Sequence, residues 1–364
     1  MTFPIHKLDD SNGEPVREWL DGACQVLSEG QLVALPTETV YGLAARADDA
    51  TALARLAEIK GRPGGIAWTW HIGAMEALEA FPGPQATVRR LVERYWPGPL
   101  TLILPGVPAG LELAALDGWT GVRFTAEPFA RALCTHASFP VVMTSANLHG
   151  QPAASDVAGL ERLDTSLLGL VIDGGQTRIK EASTILKIGP GSFELLRAGL
   201  HDIEALRRTA GRRIAFICTG NTCRSPMAEA LARQVLAERL ACDPEAIGKT
   251  GFRVRSMGVF ASSGAPATAA AREAMGELSL DISAHASSPA LPEVIADFDQ
   301  VFCMTESHRA ALATILEPGI LAKVTLLDPQ QRDVPDPIGG GLDDYRRCAR
   351  HIADCITRHA DDWV

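Results

Sequence analysis

The sequence predicts an α/β protein with two domains, and three observations support this prediction. The chain has 364 residues, a length that favours two domains, each large enough to bury its own core. Short apolar runs, at residues 31–35 and 214–217, lead into polar loops that precede stretches with helical character. A polar, arginine-rich stretch at residues 201–213 separates the two halves. We therefore expect domains at 1–203 and 213–364, joined by a short helix or linker at 204–212.

Composition limits the classes of protein to consider. Hydrophobic residues make up 46% of the chain, and the formal net charge is −10. The N-terminus has no basic-plus-apolar signal and no apolar run is long enough to span a bilayer, so we expect a soluble, cytoplasmic protein without membrane contact. Thiols stay reduced there, so the 8 cysteines are not expected to form a disulfide framework. The acidic total argues against a dedicated nucleic-acid binder, although a local basic groove is compatible with it.

The first half begins with a strand, a polar loop and a helix that ends in two cations. Residues 31–43 are predicted to form a buried strand and the loop after it, and residues 50–60 have helical period up to Gly61. Lys60 and Arg62 would then lie at a helix C-terminus, where they can converge on one polyphosphate. The alternative is a solvated helix end that the helix dipole favours.

Two further strands are predicted in this half. Residues 95–104 are typical of a turn that leads into a strand, and residues 141–147 of a strand that ends in Ser145 and Asn147. Side-chain donors at the end of a strand can meet a ligand. Ordinary turn chemistry is the alternative.

The most informative stretch runs from Cys218 to Ser225, between an apolar run and a helix-compatible segment. Its small residues let successive backbone N–H groups point at one tetrahedral oxyanion, and the helix N-terminus adds its positive end. The same field favours the thiolate form of Cys218, which is the reactive form. Arg224 can bind two phosphate oxygens with its planar fork, and Ser225 can donate to the sulfur. The residues expected to form the phosphate-binding loop are Thr219, Gly220, Asn221, Thr222 and Cys223.

Cys218 and Cys223 have interpretations other than an anion-binding loop. The bare Cys-x5-Arg-Ser spacing also occurs by chance, but the apolar run before it and the helix after it favour the anion loop. A metal site at Cys218 and Cys223 is not expected, because no other cysteine pair nearby has ligand-like spacing, and we predict no metal ligands. Cys223 is either a small buried residue or a resolving thiol that protects Cys218 from over-oxidation, and we favour the second.

Four segments of the second half resemble the low-molecular-weight protein phosphatases: residues 218–229, 255–260, 281–285 and 333–337. The resemblance implies a parallel sheet with helices on both faces and a reaction without a cofactor. In that family a nucleophilic cysteine is phosphorylated, and an aspartate in a downstream Asp-Pro loop protonates the leaving group. The resemblance assigns these two roles to Cys218 and Asp336.

The chemistry by itself requires such an acid. A phosphate ester or phosphoramidate leaves poorly as an anion, so a carboxylic acid must face the thiolate and supply a proton. Asp333 competes for this role. Asp336 is preferred because Pro337 and the glycines that follow suit a loop at the rim of a pocket.

The substrate of this half is left open between three alternatives. The pattern is most similar to the bacterial protein-arginine phosphatase branch, in which a threonine at the position of Thr222 recognises phosphoarginine. The phosphotyrosine phosphatases usually carry an apolar residue at the position of Thr222 and an aromatic one at that of Ile338, so this chain lacks a stacking surface for a phenol ring. Because the arginine-phosphatase branch also usually has an aromatic residue at the position of Ile338, phosphotyrosine stays an alternative. Arsenate reduction is the third, and Cys303 is the one further thiol placed to serve it.

Eight segments of the first half resemble the YrdC-type threonylcarbamoyl-AMP synthases. They are residues 36–42, 60–63, 96–101, 121–123, 145–147, 173–175, 183–184 and 196–197. The resemblance implies a twisted, mixed α/β sheet with a concave ligand face. It also implies an ATP-dependent condensation of L-threonine with bicarbonate, giving threonylcarbamoyl-adenylate and pyrophosphate for tRNA modification, with Mg²⁺ accompanying ATP.

The same resemblance assigns the residues of this site. Those expected to contact the nucleotide are Lys60, Arg62, Ser145, Asn147 and Arg197. Those expected to face threonine are Thr39, Tyr41, His71, Arg123 and Ser183. One stretch departs from the family pattern, with Ile66 at a usually polar position and with Trp68 and Trp70 adding bulk beside the expected pocket.

Three hypotheses for the whole chain follow. The first is a bifunctional synthase and phosphatase. In the second, the phosphatase is active and the first half is a non-catalytic module that binds RNA or a nucleotide. In the third, the second half resembles an arsenate reductase. The expected partners, besides ATP, L-threonine and bicarbonate, are a phosphoprotein, proteins of tRNA modification and RNA.

Overall fold

The computed structural model describes residues 4–8, 17–61, 67–82 and 85–364. Their contacts divide the chain into two compact units, which we call the N-terminal unit (residues 1–83 and 91–203) and the C-terminal unit (residues 84–90 and 204–364). Each unit has its own sheet and its own apolar core. The α/β class predicted from the sequence is therefore confirmed.

The strands of the N-terminal unit form one mixed sheet. Its ten strands within the described ranges are β1 (Ile5–Lys7), β2 (Leu32–Leu35), β3 (Gly42–Arg46), β4 (Thr69–His71), β5 (Leu100–Pro105), β6 (Trp119–Arg123), β7 (Val141–Ser145), β8 (Leu168–Asp173), β9 (Thr184–Gly189) and β10 (Ser192–Arg197). Their order is β1-β8-β2-β3-β7-β4-β6-β5-β9-β10. The sheet contains parallel pairs, such as β2 and β8, and antiparallel pairs, such as β3 and β7, which confirms the expected mixed sheet.

Helices cover both faces of this sheet. The helices that pack on these faces are α1 (Arg17–Ser28), α2 (Ala50–Ile59) and α4 (Pro128–His136). The other α-helix described in this stretch, α3 (Gln85–Tyr95), has residues in both compact units. In β2, Leu32 and Ala34 pack into the core that contains α2, whereas Val33 and Leu35 pack into the core that contains α1 and α4. Successive side chains of a strand point to opposite faces, so a strand buried on both faces must be apolar throughout.

The C-terminal unit is built on a parallel sheet. Among residues 204–364, all of which are described, the strands are β11 (Arg213–Cys218), β12 (Arg253–Gly258), β13 (Gln300–Cys303) and β14 (Val324–Leu326), in the order β12-β11-β13-β14. Every neighbouring pair is parallel. The helices are α5 (Ile203–Ala210), α6 (Arg224–Leu240), α7 (Ala269–Gly276), α8 (Pro292–Ile295), α9 (Glu306–Ala313), α10 (Pro318–Leu321) and α11 (Leu342–Trp363).

The central strand β11 separates two cores and ends at the predicted anion loop. Ile214 and Phe216 pack with α6 and α11 on one face, and Ala215 and Ile217 pack with residues of α8 and α9 on the other. Helices on both faces of a parallel sheet were expected, and the structure confirms them. The loop after Cys218 therefore lies at the carboxyl end of β11, where ligands bind in open α/β sheets.

Local signals in the sequence fix the ends of α2. The side chain of Asp49 accepts hydrogen bonds from the backbone N–H groups of Thr51 and Ala52, which caps the N-terminus. Lys60 is the C-cap, and Gly61 follows with φ of 60°, a left-handed conformation that favours glycine. The predicted end of this helix is confirmed, and it places Lys60 at a helix C-terminus.

In the part of the chain that the structure describes, no helix is both long enough and apolar enough to cross a bilayer.

Gly258 ends β12 directly against the anion loop. A Cβ atom at this position would lie 2.5 Å from the carbonyl oxygen of Thr219 and 2.8 Å from the backbone nitrogen of Asn221. Both atoms belong to the backbone, so we expect Gly258→Ala to displace the loop and to destabilise the C-terminal unit by about 1–3 kcal/mol. Urea-induced unfolding and the rate of Cys218 alkylation would measure these two effects.

The matched control is Gly276→Ala at the end of α7. A Cβ atom there would meet none of the described atoms within 4 Å, apart from its own helix. Equal unfolding midpoints and equal alkylation rates for the two variants would contradict the close approach at Gly258.

Candidate functional sites

In the C-terminal unit, the end of β11 and the start of α6 enclose the thiol of Cys218. The residue is 3% exposed. The backbone N–H of Asn221 donates to its sulfur over 3.3 Å, and the hydroxyl oxygen of Ser225 lies 3.0 Å from the same sulfur. Donors therefore converge on the sulfur, as they must where a thiolate is to be stabilised.

Asn221 organises the loop around this sulfur. Its backbone is left-handed, with φ of 55°. Its side-chain Nδ2 donates to Ser225 Oγ over 2.9 Å, and its Oδ1 accepts from the backbone N–H of Ser288 over 2.8 Å. Ser225 accepts from Asn221, so its one proton has two acceptors in reach: the Cys218 sulfur at 3.0 Å and the carbonyl oxygen of Met257 at 3.3 Å.

The first turn of α6 can hold an anion. Cys223 is the N-cap of α6, and no side chain in the described part of the chain caps this helix terminus. The backbone N–H groups of the first turn therefore stay available for a ligand. Arg224, which is 4% exposed, donates to the carbonyl oxygen of Val334 over 3.2 Å and pairs with Asp336. Its Nε has no hydrogen-bond partner among the described residues.

The two aspartates that compete as proton donors lie in different surroundings. Asp336 contacts Arg224, and its Oδ1 accepts from the backbone N–H of Ile338 over 3.2 Å. Asp333 accepts from the backbone N–H of Glu306 over 2.7 Å, at the start of α9. The structure therefore brings Asp336 to the anion loop and uses Asp333 to cap a helix.

The remaining loop residues differ in how they are held. The sulfur of Cys223 lies 3.5 Å from the hydroxyl oxygen of Tyr345 and 3.6 Å from that of Thr268. Thr222 is partly exposed, and within the described residues its hydroxyl has one such contact, with the Cys223 sulfur at 3.8 Å. The Thr222 hydroxyl is thus available at the surface of the loop.

Cys303 does not occupy the place expected of a relay thiol. It lies within β13 with no exposed surface, and burial raises its pKa to about 12. A relay thiol must ionise and must move to the reacting group. A thiol buried in a strand with a raised pKa suits neither condition, so Cys303 disfavours the arsenate alternative.

His308 is a residue of this site that the sequence analysis missed. Its Nε2 lies 2.8 Å from the Thr219 hydroxyl oxygen, and its Nδ1 lies 2.7 Å from that of Thr305. Burial, and then the charge of Arg224, lower its pKa to about 4, so the imidazole is neutral. It links the anion loop to the first turn of α9, and the spacing in the sequence carries no signal for this contact.

His285 was quoted in the family resemblance but had no assigned role. Its Nε2 donates to the carbonyl oxygen of Asn221 over 2.7 Å. It therefore supports the loop from behind, together with Ser288.

The N-terminal unit contains a cavity of about 330 Å³. Seven of the sequence-predicted site residues line it: Thr39, Tyr41, His71, Arg123, Ser145, Ser183 and Arg197. Lys60 and Asn147 contact Ser145 at the end of β7. Arg62 and Ile66 lie outside the described residues.

Arg123 is held by a buried ion pair with Glu38. The distance from Arg123 Nη2 to Glu38 Oε1 is 2.7 Å, and the hydroxyl of Thr125 donates to the other carboxylate oxygen over 2.5 Å. Burial alone would raise the pKa of Glu38, but Arg123 and these hydrogen bonds outweigh it and hold the pKa below its usual range. Sequence analysis missed Glu38 as a site residue, although it lies inside the quoted 36–42 segment.

The second guanidinium of the cavity belongs to Arg197. Its Nε donates to the carbonyl oxygen of Ser183 and its Nη2 to the Ser183 hydroxyl, both over 2.9 Å. Burial and the nearby charge of Arg123 lower its pKa. Two cations that repel each other in one cavity favour the binding of an anion between them.

Lys60 crosses from the end of α2 to the end of β7. It is 3% exposed, and its Nζ donates to the carbonyl oxygen of Ser145 over 2.6 Å and to Asn147 Oδ1 over 2.7 Å. The structure therefore brings together three of the residues expected to contact a nucleotide.

His71 is neutral and has a defined tautomer. Its Nδ1 lies 3.1 Å from the carbonyl oxygen of Thr69, which can only accept, so Nδ1 carries the proton and Nε2 is left as an acceptor. Burial, and then the charge of Arg123, lower the pKa of His71 to about 3. The cavity wall thus offers an uncharged acceptor.

Tyr41 lines the cavity with its ring, while its hydroxyl is engaged elsewhere. The hydroxyl donates to the carbonyl oxygen of Gly175 over 2.9 Å and accepts from the backbone N–H of Gly174 over 3.1 Å. Burial raises the pKa of Tyr41 above its usual range. Tyr41 therefore holds the 173–175 turn in place and offers its ring to a ligand.

Comparison with known families matches the two units separately. Residues 25–199 match the Sua5_yciO_yrdC family model, described as "Telomere recombination", and residues 213–362 match the model of the low-molecular-weight phosphotyrosine protein phosphatases. A threonylcarbamoyl-AMP synthase of Xanthomonas oryzae pv. oryzae is 35% identical over 173 residues, 45% of this chain and 92% of the relative. A protein-arginine-phosphatase of Bacillus subtilis is 35% identical over 150 residues, 40% of this chain and 93% of the relative. The chain belongs to both families.

Some members of the first family are longer than the part of this chain that matches them. A threonylcarbamoyl-AMP synthase of Pyrococcus abyssi is 35% identical over 207 residues, which are 54% of this chain and 59% of the relative. The match to a threonylcarbamoyl-AMP synthase of Bacillus subtilis covers 52% of that relative. The chain thus spans little more than half of these relatives. A solved structure of a Pyrococcus abyssi Sua5 variant has a TM-score of 0.51 and 25% identity, covering 70% of this chain and 91% of that one. This likeness supports the fold of the N-terminal unit, which we now call the synthase-family unit; the C-terminal unit is the phosphatase-family unit.

The buried His71 makes the stability of the synthase-family unit depend on pH. In the folded unit its pKa is about 3, against an ordinary value of 6.5. Between these values the unfolded chain binds a proton that the folded chain does not, so the free energy of unfolding falls as the pH falls. We expect a loss from this residue of about 1.4 kcal/mol per pH unit below pH ~6.

Denaturant unfolding at pH 7.5 and pH 4.5, for the protein and for His71→Asn, measures this effect. The asparagine amide retains a donor for the Thr69 carbonyl but has no titrating group. The variant should lose less stability on acidification. Parallel losses in the two proteins would exclude His71 as the source.

Proposed function

We propose that the chain is a bifunctional enzyme. The synthase-family unit, which we place at residues 1–203, would condense L-threonine with bicarbonate and ATP to give threonylcarbamoyl-AMP and pyrophosphate for tRNA modification. The phosphatase-family unit, at residues 213–364, would dephosphorylate a phosphoprotein through a phosphocysteine. We place both reactions in the cytoplasm, where the eight cysteines, all unpaired, would stay reduced.

The cationic cavity supports the first activity. The reaction joins a carbamate oxygen to the α-phosphorus of ATP and releases pyrophosphate, so it requires charge neutralisation and in-line positioning. Arg197 and Arg123 line the cavity, and Lys60 lies at its edge through Ser145. We assign the nucleotide to Lys60, Ser145, Asn147 and Arg197.

Mg²⁺ fits this site as a companion of ATP. The lining residues that the structure describes include no carboxylate, whereas Mg²⁺ bound by a protein usually has one or two. The donors present suit an ion carried on the triphosphate. When bound there, Mg²⁺ would neutralise phosphate charge; the protein's own cations and hydroxyls orient the nucleotide.

The threonine side of the cavity is assigned to its polar wall. The ammonium and hydroxyl groups of threonine are donors, and His71 Nε2 is a neutral acceptor suited to either. Arg123, fixed by Glu38, suits the threonine carboxylate. Thr39 and Ser183 complete this wall, and the ring of Tyr41 provides an apolar contact.

Loss of Lys60 should remove the synthase activity. We expect the full-length protein to release pyrophosphate from ATP only when threonine and bicarbonate are both present, and Lys60→Ala to lower this rate by at least ~100-fold, because the variant leaves a phosphate without its cation. Lys7→Ala, an exposed lysine on the edge strand β1, is the control. A pyrophosphate assay measures both.

The same assay separates the first two hypotheses. If the unaltered protein binds ATP but releases no pyrophosphate under these conditions, the unit is a non-catalytic nucleotide- or RNA-binding module. Release that persists in Lys60→Ala would remove Lys60 from the mechanism.

The geometry around Cys218 supports the second activity. The Cys218 sulfur would attack the phosphorus while backbone N–H groups of the loop and Arg224 hold the phosphate oxygens. Asp336 would protonate the departing group, and would then take a proton from the water that hydrolyses the phosphocysteine. Ser225 would donate to the sulfur as it departs in the second step.

Phosphoarginine is the substrate we favour. A phosphorylated guanidinium carries N–H donors and therefore needs an acceptor beside the loop. The hydroxyl of Thr222 is partly exposed and suits this role. The match to a protein-arginine-phosphatase over 93% of its length supports this choice. The buried Cys303 disfavours the arsenate alternative.

Thr222→Val tests this substrate, because valine keeps the shape of threonine and removes the hydroxyl. We expect kcat/KM for a phosphoarginine peptide to fall about 10- to 100-fold, since the guanidinium loses its acceptor. Turnover of an aryl phosphate, which needs no such acceptor, should change less than threefold. Cys218→Ser should remove both activities.

The contradicting outcomes are distinct. A higher kcat/KM for phosphotyrosine peptides than for phosphoarginine peptides would make the unit a tyrosine phosphatase. Equal losses on both substrates in Thr222→Val would give Thr222 a role in the loop rather than in specificity.

A further inference from the structure

We propose that Asp328, His351 and Cys355 form a binding site for a divalent transition-metal ion of the Zn²⁺ type. Their ligand atoms, a carboxylate oxygen, an imidazole nitrogen and a thiol sulfur, all lie within 4.8 Å of one another. This combination of donors suits Zn²⁺ and its neighbours rather than Mg²⁺ or Ca²⁺. The three residues lie outside the anion loop and the Asp336 loop.

The protein backbone presents these ligands from two elements. His351 and Cys355 are four residues apart in α11, so they lie on one face of the helix, one turn from each other. Asp328 follows the end of β14, and its Oδ1 accepts from the backbone N–H of Gln330 over 2.8 Å. The nearby His359 of α11 donates to the carbonyl oxygen of Leu327 over 2.9 Å, which ties the helix to the strand end. The ligand positions are therefore set by the fold.

The present distances are close to those that coordination requires. His351 Nε2 lies 3.1 Å from Asp328 Oδ2. Ligand atoms of a tetrahedral zinc ion are roughly 3.3–3.8 Å apart, as follows from metal–ligand bonds of about 2.0–2.3 Å. The Cys355 sulfur lies within 4.8 Å of both other ligand atoms, so coordination would need it to approach by about 1 Å.

An Asp328–His351–Arg332 network accounts for part of this arrangement without a metal. Asp328 Oδ2 accepts from His351 Nε2 and, over 2.8 Å, from Arg332 Nε. That network leaves out Cys355, whose buried thiol has no hydrogen-bond partner in the part of the chain that the structure describes. A metal ion would provide that partner.

Charge and protons balance for such a complex. The ion replaces the proton between His351 and Asp328, and that proton moves through solvent to His351 Nδ1, so the imidazole stays neutral. The Cys355 thiol releases its proton to solvent as the metal–sulfur bond forms. A dication bound by one thiolate and one carboxylate is neutral overall, and Arg332 keeps its charge at the rim.

The site can be reached from solvent. His351, Arg332 and Pro335 line a groove of about 470 Å³ on the surface of the unit. Of the three ligands, His351 opens to this groove, whereas Asp328 and Cys355 are buried. We therefore expect an ion to enter beside His351 and a water molecule to take the fourth position. Three protein ligands and a water are a common arrangement for zinc.

Cobalt(II) is the probe we would use, because its bond to a thiolate gives a charge-transfer absorption in the near ultraviolet. Full-length protein carrying Cys218→Ser and Cys223→Ser removes the two loop thiols from consideration. We expect one Co²⁺ per chain, a thiolate band, and displacement by Zn²⁺. Adding Cys355→Ser should abolish the band, and His351→Asn should weaken binding at least ~10-fold. Cys242→Ser, a partly exposed thiol beyond α6, should leave the band unchanged.

Thermal unfolding gives an independent measurement. Zn²⁺ should raise the unfolding temperature of the parent protein and of Cys242→Ser, but not that of Cys355→Ser, because an ion that binds only the folded state stabilises it. The metal-free unfolding temperatures of the variants show whether they fold. A thiolate band that survives Cys355→Ser, an absent band in the parent, or equal zinc effects on all variants would overturn the proposal.

Discussion

Buried positive charge is the constraint on which both sites depend. Lys60, Arg123 and Arg224 are all buried, and removing an ion from water costs several kcal/mol unless nearby groups compensate. The protein meets this cost with oxygen partners held in place by the fold, such as Glu38 for Arg123 and Asp336 for Arg224. These partners keep each cation ordered before any anion arrives. The residues that supply the oxygens are therefore as necessary to the sites as the cations.

The two units use this charge in different ways. In the synthase-family unit, Arg123 and Arg197 face one cavity and repel each other, which favours an anion between them. In the phosphatase-family unit, much of the positive potential comes from backbone N–H groups at the end of β11 and the start of α6. Backbone groups point at one place only when the loop has a single conformation, and the close contact at Gly258 and the side chain of Asn221 enforce it.

Much of the fold and part of each site could be predicted from the sequence. The end of α2 followed from Gly61, and the anion loop followed from an apolar run, small residues and an arginine at fixed spacing. His308 and Glu38 were missed, because their partners are distant in the sequence and only packing brings them together. The unsuitability of Cys303 for the arsenate alternative was also not predictable, because spacing carries no information about burial, which decides whether a thiol can ionise.

By itself, the sequence determined the two α/β folds, the loop that encloses Cys218 and most of the polar residues that now line the first cavity. The folds and the loop depend on short-range patterns, namely apolar runs, helix ends and small loop residues, whereas the cavity residues followed from the resemblance to a known family. Tertiary structure placed Asp336 beside Arg224, and Asp333 at the start of α9. It also bonded the Tyr41 hydroxyl to the 173–175 turn and placed Asp328 beside His351 and Cys355. Each of these outcomes depends on which distant segments share a low-dielectric environment, and this is set when strands and helices pack rather than by neighbours in the chain.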